Sequence, residues 1–86
     1  MHRYCHVPLP SRGAEDARRL AIMRATWPEW IIRSGPMWWA CLRAPLTPRE
    51  RAAGLRPLIG RVSGAELAME LNAEDRAARR LAYASR

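Results

Sequence analysis

Trp30-Ile31-Ile32-Arg33-Ser34-Gly35-Pro36-Met37-Trp38-Trp39-Ala40-Cys41-Leu42 holds three of the four tryptophans in the chain. Two apolar runs flank a Ser-Gly-Pro turn signal, so the stretch reads as a β-hairpin and as the nucleus of the fold. Glu29 to Arg33 is the first strand and Met37 to Arg43 the second. Side chains alternate between the two faces of a strand. With Ser34-Gly35 as a two-residue loop, Trp30 lies opposite Trp39 and Ile32 opposite Met37, and these four form the core face. A longer loop through Pro36 shifts that register, and a one-residue slip exchanges the faces. In the two-residue register Trp38 points to the second face, with Ile31 and Leu42. Either the first helix covers that face through Leu20 or Met23, or the face is an exposed recognition patch. Ile31, Trp38 and Leu42 are therefore the candidate partner-binding residues.

Outward from the hairpin, the pattern turns helical. Upstream, residues Ala14 to Ala25 place Ala17, Leu20, Met23 and Trp27 on one stripe, with steps of three and four. Glu15 and Asp16 in the first turn and Arg24 near the end suit the helix dipole. Pro28 disfavours helical backbone at Trp27 and ends the helix there. Downstream, Leu46-Thr47-Pro48-Arg49-Glu50 is a capping box with proline at the first helical position. It opens a short helix that Gly54 can close in left-handed geometry. Leu55 to Val62 holds a third apolar strand candidate, with Leu58 to Val62 as the narrower reading, and Pro57 marks either an edge or a strand beginning. Ser63-Gly64-Ala65-Glu66 repeats the capping spacing and starts the last helix. Leu67, Leu71, Ala78 and Leu81 form its inner stripe, while Glu66, Glu70 and Glu74 read as a solvated face. Asn72-Ala73-Glu74-Asp75 could recap the chain, which predicts a break near Asn72. The expected fold is α+β in one domain: helix, β-hairpin, short helix, short strand and C-terminal helix over residues 14–86. Residues 1–13, with Val7-Pro8-Leu9-Pro10, form an extended arm.

Composition narrows the function classes. A chain of 86 residues supports one domain and a small core. Its net charge is +7, and every one of its fifteen basic residues is arginine. GC-rich codon usage accounts for arginine without lysine. Selection for bidentate phosphate contacts is the sharper alternative, and under it Arg18, Arg19, Arg76, Arg79 and Arg80 are the candidate nucleic-acid contacts. The charge is spread over both halves, +4 in residues 1–43 and +3 in residues 44–86, without an obvious stripe.

Motifs for chemistry are missing. Cys5 and Cys41 do not make a disulfide framework. His2, Cys5 and His6 are close in sequence but lack the second ligand pair of a zinc site. There is no phosphate-binding glycine loop and no paired-carboxylate motif, so the sequence predicts no catalytic residue, metal, cofactor or small-molecule substrate. No apolar run is long enough to span a membrane. The N-terminus lacks the apolar core of a signal peptide, and the expected location is cytoplasmic with reduced thiols.

Two resemblances bear on this reading. Trp30-x-Ile32, Trp38-Trp39-Ala40, Leu46-Thr47, Gly54-Leu55 and Ser63-x-x-Glu66-Leu67 follow one another as in a group of short, uncharacterised proteins from high-GC actinobacteria. That resemblance spans roughly residues 27–71 and implies kinship without an activity. The element order is also similar to that of double-stranded RNA-binding domains, whose last helix starts with a basic run. Here that position reads Ser63-Gly64-Ala65-Glu66, which removes the main phosphate clamp. The expected function is thus a small, non-catalytic interaction module that binds a protein partner or a second copy of itself through the hairpin and the last helix. An Arg-rich accessory protein for nucleic acid is the alternative.

Overall fold

The computed structural model describes residues 12–84. Six elements follow in order: α1 (Arg12–Thr26), β1 (Trp30–Arg33), β2 (Trp38–Leu42), α2 (Pro48–Ala52), β3 (Leu58–Arg61) and α3 (Gly64–Ala84). This is the expected α+β architecture. Of the arm expected over residues 1–13, only Arg12 and Gly13 are described, and both already belong to α1. His2, Cys5, His6 and any Cys5–Cys41 bridge lie outside the described residues.

The three strands form one antiparallel sheet in the order β1-β2-β3. The hairpin register differs from the two-residue loop. Trp30 pairs with Leu42, Ile31 with Cys41, Ile32 with Ala40 and Arg33 with Trp39. Four residues, Ser34 to Met37, now lie between the strands. One backbone fact explains this: the short loop would place Pro36 in the second strand, where it has no N–H to give the ladder. Extending the loop past Pro36 moves the pairing by three positions, an odd number, so the faces of β2 exchange. Trp38 turns into the core at 3 % exposure, and Trp39 turns outward at 45 %.

The core lies on one side of the sheet. Trp30, Ile32, Trp38, Ala40 and Ile59 point inward and pack with Met23 of α1 and Leu67 and Leu71 of α3. Leu20, Trp27 and Leu42 pack around this cluster. Burying Trp30 and Trp38 contributes about 4–6 kcal/mol each in gross hydrophobic terms, at about 25 cal/mol per Å². Both long helices thus cover one face, as the α1 stripe of Leu20, Met23 and Trp27 requires. Ala17, the first residue placed on that stripe, is exposed, so the contact begins a turn later. Gly64 starts α3 directly against the indole of Trp38, where a Cβ would sit 3.0 Å from two ring atoms.

Local capping follows the sequence closely. Thr47 accepts the Glu50 N–H through its hydroxyl at 3.1 Å, and Glu50 Oε1 accepts the Thr47 N–H at 2.8 Å. Ser63 Oγ likewise accepts the Glu66 N–H at 3.1 Å. The last helix, however, does not break at Asn72. Leu71 on one side is fully buried, and Glu74 on the other is tied to the segment before β3. Anchored on both sides, the backbone continues through an exposed Asn72.

That continuity fixes the sign of a mutation. Asn72→Ala should stabilise the protein by about 0.5 kcal/mol, because alanine has the higher helix propensity. If Asn72 capped a second helix, the same change would cost about 1 kcal/mol. Urea unfolding of the two proteins separates the outcomes.

Candidate interaction face

Among the described residues, nothing covers the face of the sheet opposite the helices. Two rows of side chains cross it. The pairings Ile31–Cys41 and Cys41–Leu58 form the first, and Arg33–Trp39 and Trp39–Gly60 form the second. Ile31, Trp39 and Leu58 are exposed at 37, 45 and 55 %, and Val62, just past β3, at 65 %. The Trp39 ring lies over Gly60, and a Cβ at that position would overlap it. The glycine thus lets the indole lie flat across β3 instead of standing away from the sheet. Strands rise about 3.3 Å per residue and sit about 4.8 Å apart, so the face measures about 15 Å in each direction. Contiguous exposed apolar surface around an aromatic makes this face a candidate docking region.

The strands carry Arg33 and Arg61 and no carboxylate. Arg61 turns away and pairs with Glu70 at 3.2 Å. Arg33 is exposed beside Trp39 and has no ion-pair partner among the described residues. Cys41 is an exposed free thiol flanked by Ile31 and Leu58. Among the described residues, no base stands beside it across the sheet, and no group of His, Cys, Asp and Glu is placed to hold a metal.

The outer edges of the sheet are partly used by the chain itself. Arg24 donates to the Ile32 carbonyl from Nε at 3.1 Å and from its terminal nitrogen at 2.8 Å. The Trp30 N–H donates to the Trp27 carbonyl at 3.0 Å. On β3, Arg61 donates to the Gly60 carbonyl at 2.6 Å. These bonds occupy groups that an added strand would otherwise use. Docking on the face therefore has more free surface than pairing at an edge.

The candidate residues from the sequence separate between the two faces. Ile31 is on the bare face. Trp38 is buried in the core, and Leu42 packs at the core margin. The odd register shift is the cause, and the exposed tryptophan is Trp39, which the two-residue register had placed in the core. The five arginines do not gather either. Arg19 packs over Gly64 at the start of α3, whereas Arg76, Arg79 and Arg80 lie twelve or more residues further along that helix. At a rise of 1.5 Å per residue, that is at least about 18 Å. Arg79 also pairs with Asp75 at 3.1 Å.

Sequence reasoning missed one polar cluster. Arg56 bridges two carboxylates of α3, Glu74 through Nε at 2.7 Å and Glu70 at 2.8 Å. Its backbone N–H also donates to Glu74 Oε1 at 3.0 Å. Glu74 is the one buried charged residue of the described chain. It occupies the gap between Leu71 and Ala78 on the inner stripe, at the step of three from Leu71. That gap was the available signal. Hydrogen bonds from Arg56, then from Arg61, lower the pKa of Glu70, and those to Glu70 and Glu74 raise that of Arg56. The cluster fastens α3 to the segment that carries β3.

Two concavities lie on the helical side. A cavity of about 190 Å³ is floored by Trp30, Leu46 and Leu55 and rimmed by Glu29, Glu50 and Asp75. An open cleft of about 420 Å³ runs along α1, with Ile22, Trp27, Arg18 and Arg19 on its walls. Among the described residues, no helix is long and apolar enough to cross a membrane. Comparison with protein-family models, curated proteins and solved structures finds no match to this chain.

The Glu70 contacts predict a pH dependence. A carboxylate whose pKa is lower in the folded state stabilises the fold above its unfolded pKa, about 4.3. That contribution disappears as pH falls through the lowered folded value. Wild type should therefore exceed Glu70→Gln in thermal stability at pH 7, with the difference closing below about pH 4. Melting curves across pH 3–7 check this.

Proposed function

We propose that the protein is a small, non-catalytic interaction module that docks a protein partner on the bare face of its sheet. The observation that carries this reading is Trp39. A large aromatic lies flat on Gly60, in the row next to Ile31 and Leu58, on a face that no element of the described chain covers. Aromatic anchors at the centre of an apolar patch are the usual source of binding energy at interfaces. The helices serve as backing. They hold the strands from the other side, so the face is preorganised and little ordering cost falls on binding. An arginine-based accessory role for nucleic acid has less support, because the candidate arginines are dispersed along α3 and α1.

Cys41 sits in the centre of this face and provides the test. Cys5→Ser protein carrying a benzophenone maleimide on Cys41 is irradiated in nuclease-treated extract of the native cells. The expected result is a discrete protein adduct that Trp39→Asp abolishes while the fold is kept. An adduct at twice 9.8 kDa identifies a second copy as the partner. No adduct, or adducts indifferent to Trp39→Asp, overturns the reading.

A further inference from the structure

We infer that the occupant of the bare face is a single amphipathic helix of about three turns, apolar along one stripe and acidic along its flanks, contributed by a protein partner. This rests on the docking reading above and names its ligand.

Size argues first. Three strands at 4.8 Å spacing put the two outer strand axes about 10 Å apart, which is the diameter of one α-helix. Strands of four and five residues run about 13–17 Å, the length of about ten helical residues. A second copy of the chain fits less well. Stable dimers bury about 800 Å² on each partner, and this face offers a few hundred.

Charge argues second. The strands contribute arginine and no carboxylate, and Arg33, at the margin of the apolar rows, has no ion-pair partner among the described residues. Arg43 follows β2 on the same face, with its Nε donating to the Pro28 carbonyl at 2.9 Å. Glu29, just ahead of β1, is the one carboxylate nearby. A second copy would bring arginine toward arginine within a molecule of net charge +7. A helix with glutamates beside its apolar stripe places opposite charge against Arg33 and Arg43, which aids both encounter and register.

Shape argues third. Trp39 lies flat, so the centre of the face is broad and shallow. A helix stripe of leucine-sized side chains at i, i+3, i+4 and i+7 can straddle it, in the manner of helix-in-groove recognition. Nucleic acid would find a single stacking ring beside Arg33 and Arg43, where single-strand binders align several aromatics in a basic groove.

The experiment uses the full chain labelled with ¹⁵N and three probes. The first is a fifteen-residue peptide with leucine at i, i+3, i+4 and i+7 and glutamate at the flanking positions. The second replaces each glutamate with lysine, and the third is a fifteen-nucleotide oligothymidylate. The glutamate peptide should shift the Trp39 indole N–H and the amides of Ile31, Cys41 and Leu58. Its affinity should fall at least tenfold in Trp39→Ala and in Arg33→Glu, and the lysine peptide should bind at least tenfold more weakly. Equal binding of both peptides at the face overturns the acidic helix and leaves the docking reading intact. Oligothymidylate shifting these signals when the glutamate peptide does not overturns it in favour of nucleic acid. If no probe reaches the face, the acidic helix is rejected, while the Cys41 adducts still judge the docking reading separately. Variants are compared only where their amide spectra retain native dispersion, and Arg33→Lys, which keeps the charge, should bind within about threefold of wild type.

Discussion

The architecture depends on where Pro36 is allowed to sit. Its nitrogen carries no hydrogen, so it cannot enter the ladder of β2, a strand with neighbours on both sides. The loop therefore runs from Ser34 to Met37, and the pairing of Ile32 with Ala40 follows. Parity does the rest. With that pairing, Trp38 joins Trp30 and Ile32 on the helix side, and Trp39 is turned to the opposite face. Everything that distinguishes the two faces of this protein comes from that one count of residues.

The inner face then imposes its own requirements. The Trp38 indole reaches the start of α3, where a Cβ on Gly64 would lie 3.0 Å from it and 2.5 Å from the Arg19 side chain. Met23, Leu67 and Leu71 close the cluster. A core of this size leaves little margin, and the Arg56–Glu70–Glu74 cluster adds a polar fastening where the apolar stripe of α3 is interrupted. Removing one partner of such a cluster leaves a charge poorly compensated, which is why Glu74 can occupy an inward position only while Arg56 stays in place.

Much of this was legible in the residues. The α+β order, the capping box at Thr47 and Glu50, the left-handed Gly54 and the stripe of Leu20, Met23 and Trp27 all rest on local chemistry, and local chemistry is readable. The register was not, because Ser34-Gly35-Pro36 signals a turn without stating its length. That uncertainty passed directly to the candidate face: Ile31 lies on the uncovered side, while Trp38 and Leu42, expected beside it, lie on the core side. The helix through Asn72 was also missed, since its anchors are tertiary: Leu71 in the core and Glu74 on Arg56. Gly60 carried a signal that went unused, a glycine inside a strand, which often means that another group lies close over the backbone.

The two faces make opposite demands on adjacent tryptophans, and denaturant unfolding of Trp38→Ala and Trp39→Ala tests them directly. With Trp38 in the core, its truncation should cost about 3–5 kcal/mol or abolish folding. Truncating Trp39, which covers Gly60 from the solvent side, should cost about 1 kcal/mol or less. Equal losses, or a larger loss at Trp39, would contradict the register and with it the proposed docking face.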